Sequence, residues 1–343
     1  MNSKFFPTKS QPWRHAWAPA ALLAVRGEDA LGFLQGQFSQ DLLAPTGASR
    51  VAYGLWLNHK GRILADSFAL VVGPAEVWLV SYFSPGAGIR GHLESHIIAD
   101  DVTVEDHTEA WSGLAVGGAG AAGWLQASEN ERLGSLPPPG EFVRAGPGFV
   151  FRGRRDREES WEWVAPKLVP APAGVGGSDI SPMTLELIRL TAGIPAVPVD
   201  LGPGDLPPEG GLEAVAVSHT KGCYLGQEIM ARLRTGKIRR RLFRVGGTGA
   251  PPVERPTPLW QAGRRVGELR SVAPDDAGGW VGLAMLTLLG LDRTAPLTSG
   301  TEPAGAELGF PDDSWPGGLN RGQRPRLQSD RPELRAIRLL DVP

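Results

Sequence analysis

Chain-breaking residues constrain this sequence most: it holds 46 glycines and 31 prolines among 343 residues. Glycine adopts backbone angles that other residues avoid, and proline removes an amide donor. Long regular elements do not survive that density. The chain must be short strands and helices joined by many turns. Apolar residues make up 41% of it, enough to bury sizeable cores, and the length suits about two domains or three small ones.

The hydrophobic pattern fills in those elements. "AALLAV" reads as a strand, and Ala30, Phe33, Leu34 and Phe38 follow at helical spacing. "RVAYGLWLNHKGRILADSFALVVGPAEVWLVSY" reads as three strands parted by "NHKG" and "GPAE", an antiparallel meander. "GAGIRGHLESHIIADDVTVED" reads as a helix and then a strand; "SGLAVGG", "EFVRAGPGFVFRGRR" and "SWEWVAP" read as strands. "PMTLELIRLTAGIP" reads as a helix closed by Gly193 and Pro195, followed by a Pro/Gly-rich loop. From about Arg240 the texture shifts to short strands, which suit a small β-barrel. The fold class expected is α+β. Residues 1–238 form the main region of two interleaved α+β subdomains, 239–298 the barrel and 299–343 an irregular tail.

The net charge is -2, so no overall positive field exists to hold nucleic acid, and no direct nucleic-acid partner is expected. A single cysteine cannot make an internal disulfide, which points to a reducing compartment. The N-terminal stretch is interrupted by Pro7 and Pro12 and makes a poor signal peptide. The longest apolar runs, such as "LAMLTLLGL", are far short of a membrane span. A cytoplasmic protein without a membrane partner is expected.

Four features carry candidate chemistry. Cys223 lies in "KGCYLGQEIMAR", ahead of a helix expected to begin near Leu225 and beside Lys221. Both neighbours favour a thiolate. The competing reading is a small buried hydrophobe, and spacing alone leaves both open. One cysteine cannot hold an iron–sulfur cluster by itself, nor is there a Cys–His site for zinc. Arg232, Arg234, Lys237, Arg239, Arg240, Arg241 and Arg244 form a basic run without an interleaved acid. With "RTGK" as a turn, two arms would gather the charges into a site for carboxylates or phosphates; the alternative is a solvated face. "GAGAAG" matches a dinucleotide fingerprint, but Glu141 follows "PPPG" and would begin the next strand instead of ending it. His92 and His96 are spaced as a metal pair on a helix, yet no third ligand accompanies them.

The cysteine segment resembles the signature K-G-C-Y-x-G-Q-E-x-x-A-R of the YgfZ family. These are folate-binding proteins related to the glycine-cleavage T-protein (the GcvT family) and to a mitochondrial iron–sulfur assembly factor. "FLQGQFSQDL", "KGRILADSFAL", "IRLTAGIP" and "VGELRSVAPDDAGGWVGLAML" resemble further family blocks in the same order. The resemblance spans roughly residues 18–292. It implies a GcvT/YgfZ-like ring of three domains around a central tetrahydrofolate, with a C-terminal small β-barrel. It also implies a role in assembling or repairing iron–sulfur clusters of client proteins, a tRNA-thiolating enzyme among them.

By the same resemblance Cys223 and Lys221 become the catalytic pair. Asp66, Arg189, Gln227, Glu228 and Arg232 become folate contacts, and Arg239 and Arg241 become grips for the folate's glutamate tail. No metal site is implied. Two departures count against glycine cleavage itself. Where T-proteins carry adjacent aspartates this chain has Ala65 and Asp66, and the pterin-holding glutamate is replaced by Thr191. Losing those carboxylates removes the general-base logic of aminomethyl transfer. A folate-dependent one-carbon transferase stays as the alternative function, and a folate-sensing scaffold as a third.

Overall fold

The computed structural model describes residues 12–43, 49–123, 136–157, 159–171, 177–234, 236–300 and 305–310. The first part runs β1 (Trp13–Trp17), β2 (Ala21–Arg26), α1 (Ala30–Gln37), β3 (Arg50–Leu57), β4 (Ile63–Gly73), β5 (Glu76–Ser81), α2 (Gly86–Glu94), β6 (Thr103–Asp106) and β7 (Trp111–Gly117). It continues through β8 (Phe142–Ala145), β9 (Gly148–Arg152), β10 (Ser160–Pro166), β11 (Ser178–Asp179), α3 (Pro182–Ala192), α4 (Glu213–Ala216) and α5 (Gln227–Leu233). The last part holds β12 (Arg240–Thr248), β13 (Thr257–Gln261), β14 (Arg264–Pro274), β15 (Gly279–Thr287), β16 (Leu297–Ser299) and β17 (Ala306–Leu308).

These strands make three sheets. The first has the order β3-β4-β5-β2-β6 and contains the expected antiparallel meander. Both of its faces are covered, which is why β2 is apolar along its length instead of alternating. One face packs on α1 and α2 through Phe33, Leu34, Trp56, Leu79 and Leu93. Phe38 and Trp56 are fully buried there, with ring centroids 4.8 Å apart. Truncating either to alanine costs about 3–5 kcal/mol. The other face packs Phe68, Leu70 and Trp78 against Trp111, Phe149 and Phe151 of the second sheet.

The second sheet has the order β11-β1-β7-β10-β9-β8. Strand β1 lies in a stretch that reads from sequence only as a poor signal peptide. Its two tryptophans explain it. Trp13 pairs with Gly117 and Trp17 with Gly113 across the strands. The indoles lie over these glycines so closely that a Cβ would come within 2.3 Å of either ring. Each glycine leaves a gap that an aromatic side chain on the neighbouring strand covers.

The third sheet, order β12-β15-β14-β13-β16-β17, curls into a half-barrel. Its edges meet where Gly246 and Gly309 exchange backbone hydrogen bonds of 3.0 and 2.9 Å. Strand β16 crosses the boundary expected at 298, and β17 extends the sheet into the segment read as an irregular tail. Residues 311–343 lie outside the described residues. Helix α3 is capped at its start by Ser181, whose side chain accepts from the Thr184 amide at 3.0 Å. It ends at Gly193 with φ +74°, the left-handed cap that glycine adopts without strain. The Pro/Gly-rich loop after it is ordered by buried acids. Asp205 and Glu209 receive Arg240 of β12 at 3.1 and 2.9 Å, and Asp205 also receives Arg270 of β14. This network fastens the half-barrel to the rest of the molecule.

Candidate functional site

Cys223 is exposed. Its loop is stitched to the end of α1: the Ser218 amide donates to Ser39 O at 2.9 Å, and the Leu225 amide to Gly36 O at 3.1 Å. Helix α5 begins at Gln227, later than the sequence suggests, because Gly226 adopts φ +85°. A side chain there would also strike the Asn58 carbonyl at 2.8 Å. The helix start therefore lies beyond the thiol, not directly under it.

Lys221 has a different task from the expected activation of that thiol. It is 7% exposed, and its Nζ donates to the carbonyl oxygens of Gln35, Phe38 and Gln40 at 2.7, 2.7 and 3.0 Å. An ammonium has three N–H donors, so all are committed. Burial pushes Lys221 down to about 8, against an opposite pull from Asp41. Lys221 anchors the loop that displays Cys223.

The folate contacts suggested by resemblance scatter. Asp66 is buried in β4: its carboxyl group accepts from Tyr53 at 2.8 Å and Ser81 at 3.1 Å and lies 2.6 Å from the Ser84 hydroxyl. The Ser84 hydroxyl also faces Val197 O at 2.9 Å. With one proton for two acceptors, it suits a carboxyl that keeps its own proton. Burial pushes Asp66 up in the same direction, while the hydroxyls of Ser84, Tyr53 and Ser81 pull it down. Arg189 is buried, with its guanidinium taken by Glu186 at 2.8 Å, Asp200 at 2.6 Å and Ile194 O at 2.6 Å. It ties α3 to the following loop.

Gln227 is half-buried on α5, while Glu228 and Arg232 are exposed on it. The basic run is not a hairpin of two arms: Arg232 ends a helix and Arg240–Arg244 begin a strand. The acids it lacks locally arrive from elsewhere. Arg240 meets Asp205 and Glu209, and Arg244 donates to Thr191 O. Arg241, pushed down by burial, faces Glu213 and Arg293. Arg239 is exposed. Rings of His92 and His96 lie 4.8 Å apart, and burial with the His96 charge pushes His92 down to about 4. Among the described residues no three metal-ligating side chains cluster.

A cavity of about 380 Å³ opens between the first and second sheets. Arg50, Arg152, Arg154, Tyr53, Phe68 and Gln40 line it. Its size is within the ordinary range for small-molecule sites. Tyr53 joins it to Asp66, which lies behind the phenol and not in the cavity. The Arg154 guanidinium lies over the Tyr53 ring at 3.9 Å, and its Nη1 is buried without a hydrogen-bond partner. Sequence reading passed over this wall. Its signal is the arginine-rich "FVFRGRRDR", where β9 ends. A second hollow of about 350 Å³ lies at the start of α2, lined by Asp106, His107 and Glu109 without an arginine.

Comparisons with known proteins place this architecture. The GCVT N-terminal domain model matches residues 20–135. The human mitochondrial iron–sulfur cluster assembly factor IBA57 is 33% identical over 293 residues, 77% of this chain and 74% of that protein. The mouse factor is 33% identical over 290 residues, covering 78% and 75%. An aminomethyltransferase of Rubrobacter xylanophilus is 26% identical over 289 residues, 75% of each chain. The solved aminomethyltransferase T of the glycine cleavage system from Bartonella henselae shares the fold, with a TM-score of 0.74 over 89% of this chain and 86% of that one at 18% identity. The chain therefore belongs to the GcvT-like family that includes the IBA57 iron–sulfur cluster assembly factors.

Proposed function

We propose that this protein is a tetrahydrofolate-binding factor for assembling or repairing iron–sulfur clusters in client enzymes, tRNA-modifying enzymes among them. It works in a reducing compartment such as the cytoplasm, where an exposed thiol stays reduced. The observation that carries the reading is the exposed Cys223, displayed on a loop whose anchor Lys221 is buried. A thiolate is a soft ligand suited to iron. One thiol cannot hold a cluster alone, since clusters take four cysteine-type ligands. Cys223 would therefore share the cluster, as cargo, with ligands from a client or donor.

The cavity between the sheets suits a folate in three respects. Its volume, its aromatic Tyr53 and its arginines match an aromatic ligand ending in carboxylates. A reduced folate bound there supplies a carrier for one-carbon units. The chain's own residues give that chemistry little help. Asp66 is 5% exposed with both oxygens engaged, so it presents no base to the cavity. That weighs against the alternative, a folate-dependent one-carbon transferase.

The test is replacement of Cys223 in cells that lack the wild-type chain. Cys223→Ala should fold normally yet fail to restore cluster-enzyme activity. Full restoration would remove the thiol from the account.

A further inference from the structure

We propose that the segment after Cys223 forms, with the turn between β15 and β16, a docking surface for an acidic partner protein. This rests on the reading above: the partner is the donor or client that shares a cluster with Cys223. It gives Arg239 a protein acid to meet, in place of the folate tail that the resemblance suggests.

The charges are concentrated here. Arg232, Arg234, Lys237 and Arg239 are all exposed, and Glu228 is the one acid between residues 219 and 239. The whole chain has a net charge of -2, so this excess of cations is local. Asp205 and Glu209 approach the run but pair with Arg240. Among the described residues no acid pairs with Arg234, Lys237 or Arg239. Cations suit the C-terminal end of α5, where they meet the helix dipole. That accounts for Arg232 and Arg234 alone, since Lys237 and Arg239 lie beyond the helix.

The apolar part is the β15–β16 turn. Leu289 is 79% exposed and Leu288 37%. The Leu288 amide donates to Arg239 O at 2.9 Å, which sets the turn against the end of the cationic run. Arg264 Nη2 donates to Leu289 O at 2.9 Å and to Gly290 O at 3.0 Å. The backbone of the turn is therefore held while the Leu289 side chain stays exposed. The acid of this turn, Asp292, accepts from the Thr294 amide and hydroxyl at 2.8 and 2.7 Å.

A single exposed leucine needs no partner. Here a held leucine turn is bonded to an acid-poor cationic run, and that run starts beside an accessible thiol. An apolar contact inside a charged rim is the make-up of a protein interface. Helix α5 has seven residues, about 10 Å, so its cationic end stays near the loop that carries Cys223. The partner's complement is a small apolar patch ringed by carboxylates. The cargo has the same sign: four thiolate ligands outweigh the charge of an iron–sulfur core, so a thiolate-held cluster is itself an anion. An anionic membrane is the weaker fit, because one leucine turn gives a bilayer little to hold.

The experiment compares full-length variants in cells that lack the wild-type chain. The triple reversal Arg234→Glu, Lys237→Glu and Arg239→Glu should cut cluster-enzyme activity by at least about threefold. Leu289→Asp should lower it in the same direction, and it serves if the triple variant does not fold. Both variants should keep the wild-type urea midpoint and the alkylation rate of Cys223, while Arg90→Glu on α2 should leave activity unchanged. A benzophenone side chain placed at Leu289 should crosslink, on illumination, an acidic protein with cluster-ligating cysteines, and the triple reversal should abolish that adduct. Full activity in both variants, no adduct, or an adduct that survives the reversal would overturn the docking surface while leaving the thiol reading intact. Flotation of wild type with phosphatidylcholine–phosphatidylglycerol vesicles, lost in Leu289→Asp, would make the surface a membrane contact and overturn the protein partner. Full activity of Cys223→Ala would instead overturn the reading on which the surface rests.

Discussion

The Lys221 ammonium lies 2.7 Å from the carbonyl oxygen of Phe38, a residue 183 positions away in sequence. The same nitrogen reaches Gln35 O and Gln40 O, so one charge collects the carbonyl groups where α1 ends. A cation at a helix C-terminus also meets the negative end of the helix dipole. Through this contact the loop carrying Cys223 is fixed to the first sheet and its helices.

Lys221→Met should therefore destabilise the chain by about 2–4 kcal/mol, because three carbonyl oxygens, one buried and two part-buried, lose their donor together. Urea denaturation reads the change. A loss below about 0.5 kcal/mol would mean that water replaces the ammonium freely.

Cys223→Ser should change stability by no more than about 0.5 kcal/mol, as expected for an exposed position. In the native wild type, the thiol should react with an alkylating reagent without prior unfolding. A thiol that reacts only in denaturant would contradict its exposure.

Asp66 supplies a pH dependence with a definite sign. Burial raises its carboxyl above the ordinary value of 3.8. Between 3.8 and the raised value the native chain binds more protons than the unfolded chain. Its contribution to stability is then complete at low pH and is lost as pH rises through that window. The stability of wild type relative to Asp66→Asn should fall as pH rises from about 4 through the raised value and then level off. A relative stability that climbs over the same range would show a carboxylate held ionised.

Asp205 joins two arginines of the half-barrel, Arg240 and Arg270, to the loop after α3. Asp205→Ala leaves both guanidinium groups short of a partner and should cost about 3–5 kcal/mol. Limited proteolysis should then cut near the link between α5 and β12 sooner than in wild type. Unchanged cleavage and stability would show that Glu209 and Glu268 suffice.

The sequence made the first sheet legible because turn residues separate its strands cleanly, as at "NHKG" and "GPAE". It hid β1, since that strand's partners, Gly113 and Gly117, come about a hundred residues later. The cysteine loop was legible as a motif, but the direction of Lys221 was not. A lysine beside a thiol in sequence points wherever acceptors are, and here three carbonyl oxygens outcompete the thiol. The basic run misled for a similar reason: Asp205, Glu209 and Glu213 partner its arginines from a separate segment. The arginine wall of the cavity lay in plain view at Arg152 and Arg154, but only the facing sheet gives those residues a common purpose.

Service to iron–sulfur enzymes can be read by measuring two unrelated cluster enzymes and glycine cleavage side by side in a strain lacking this chain. Both cluster activities should fall together, fall further under oxidative stress, and return with the wild-type chain. Glycine cleavage should hold, because Ala65 and Thr191 stand where an aminomethyltransferase has its carboxylates. Loss of glycine cleavage with both cluster enzymes intact would contradict the account and make the chain a one-carbon transferase.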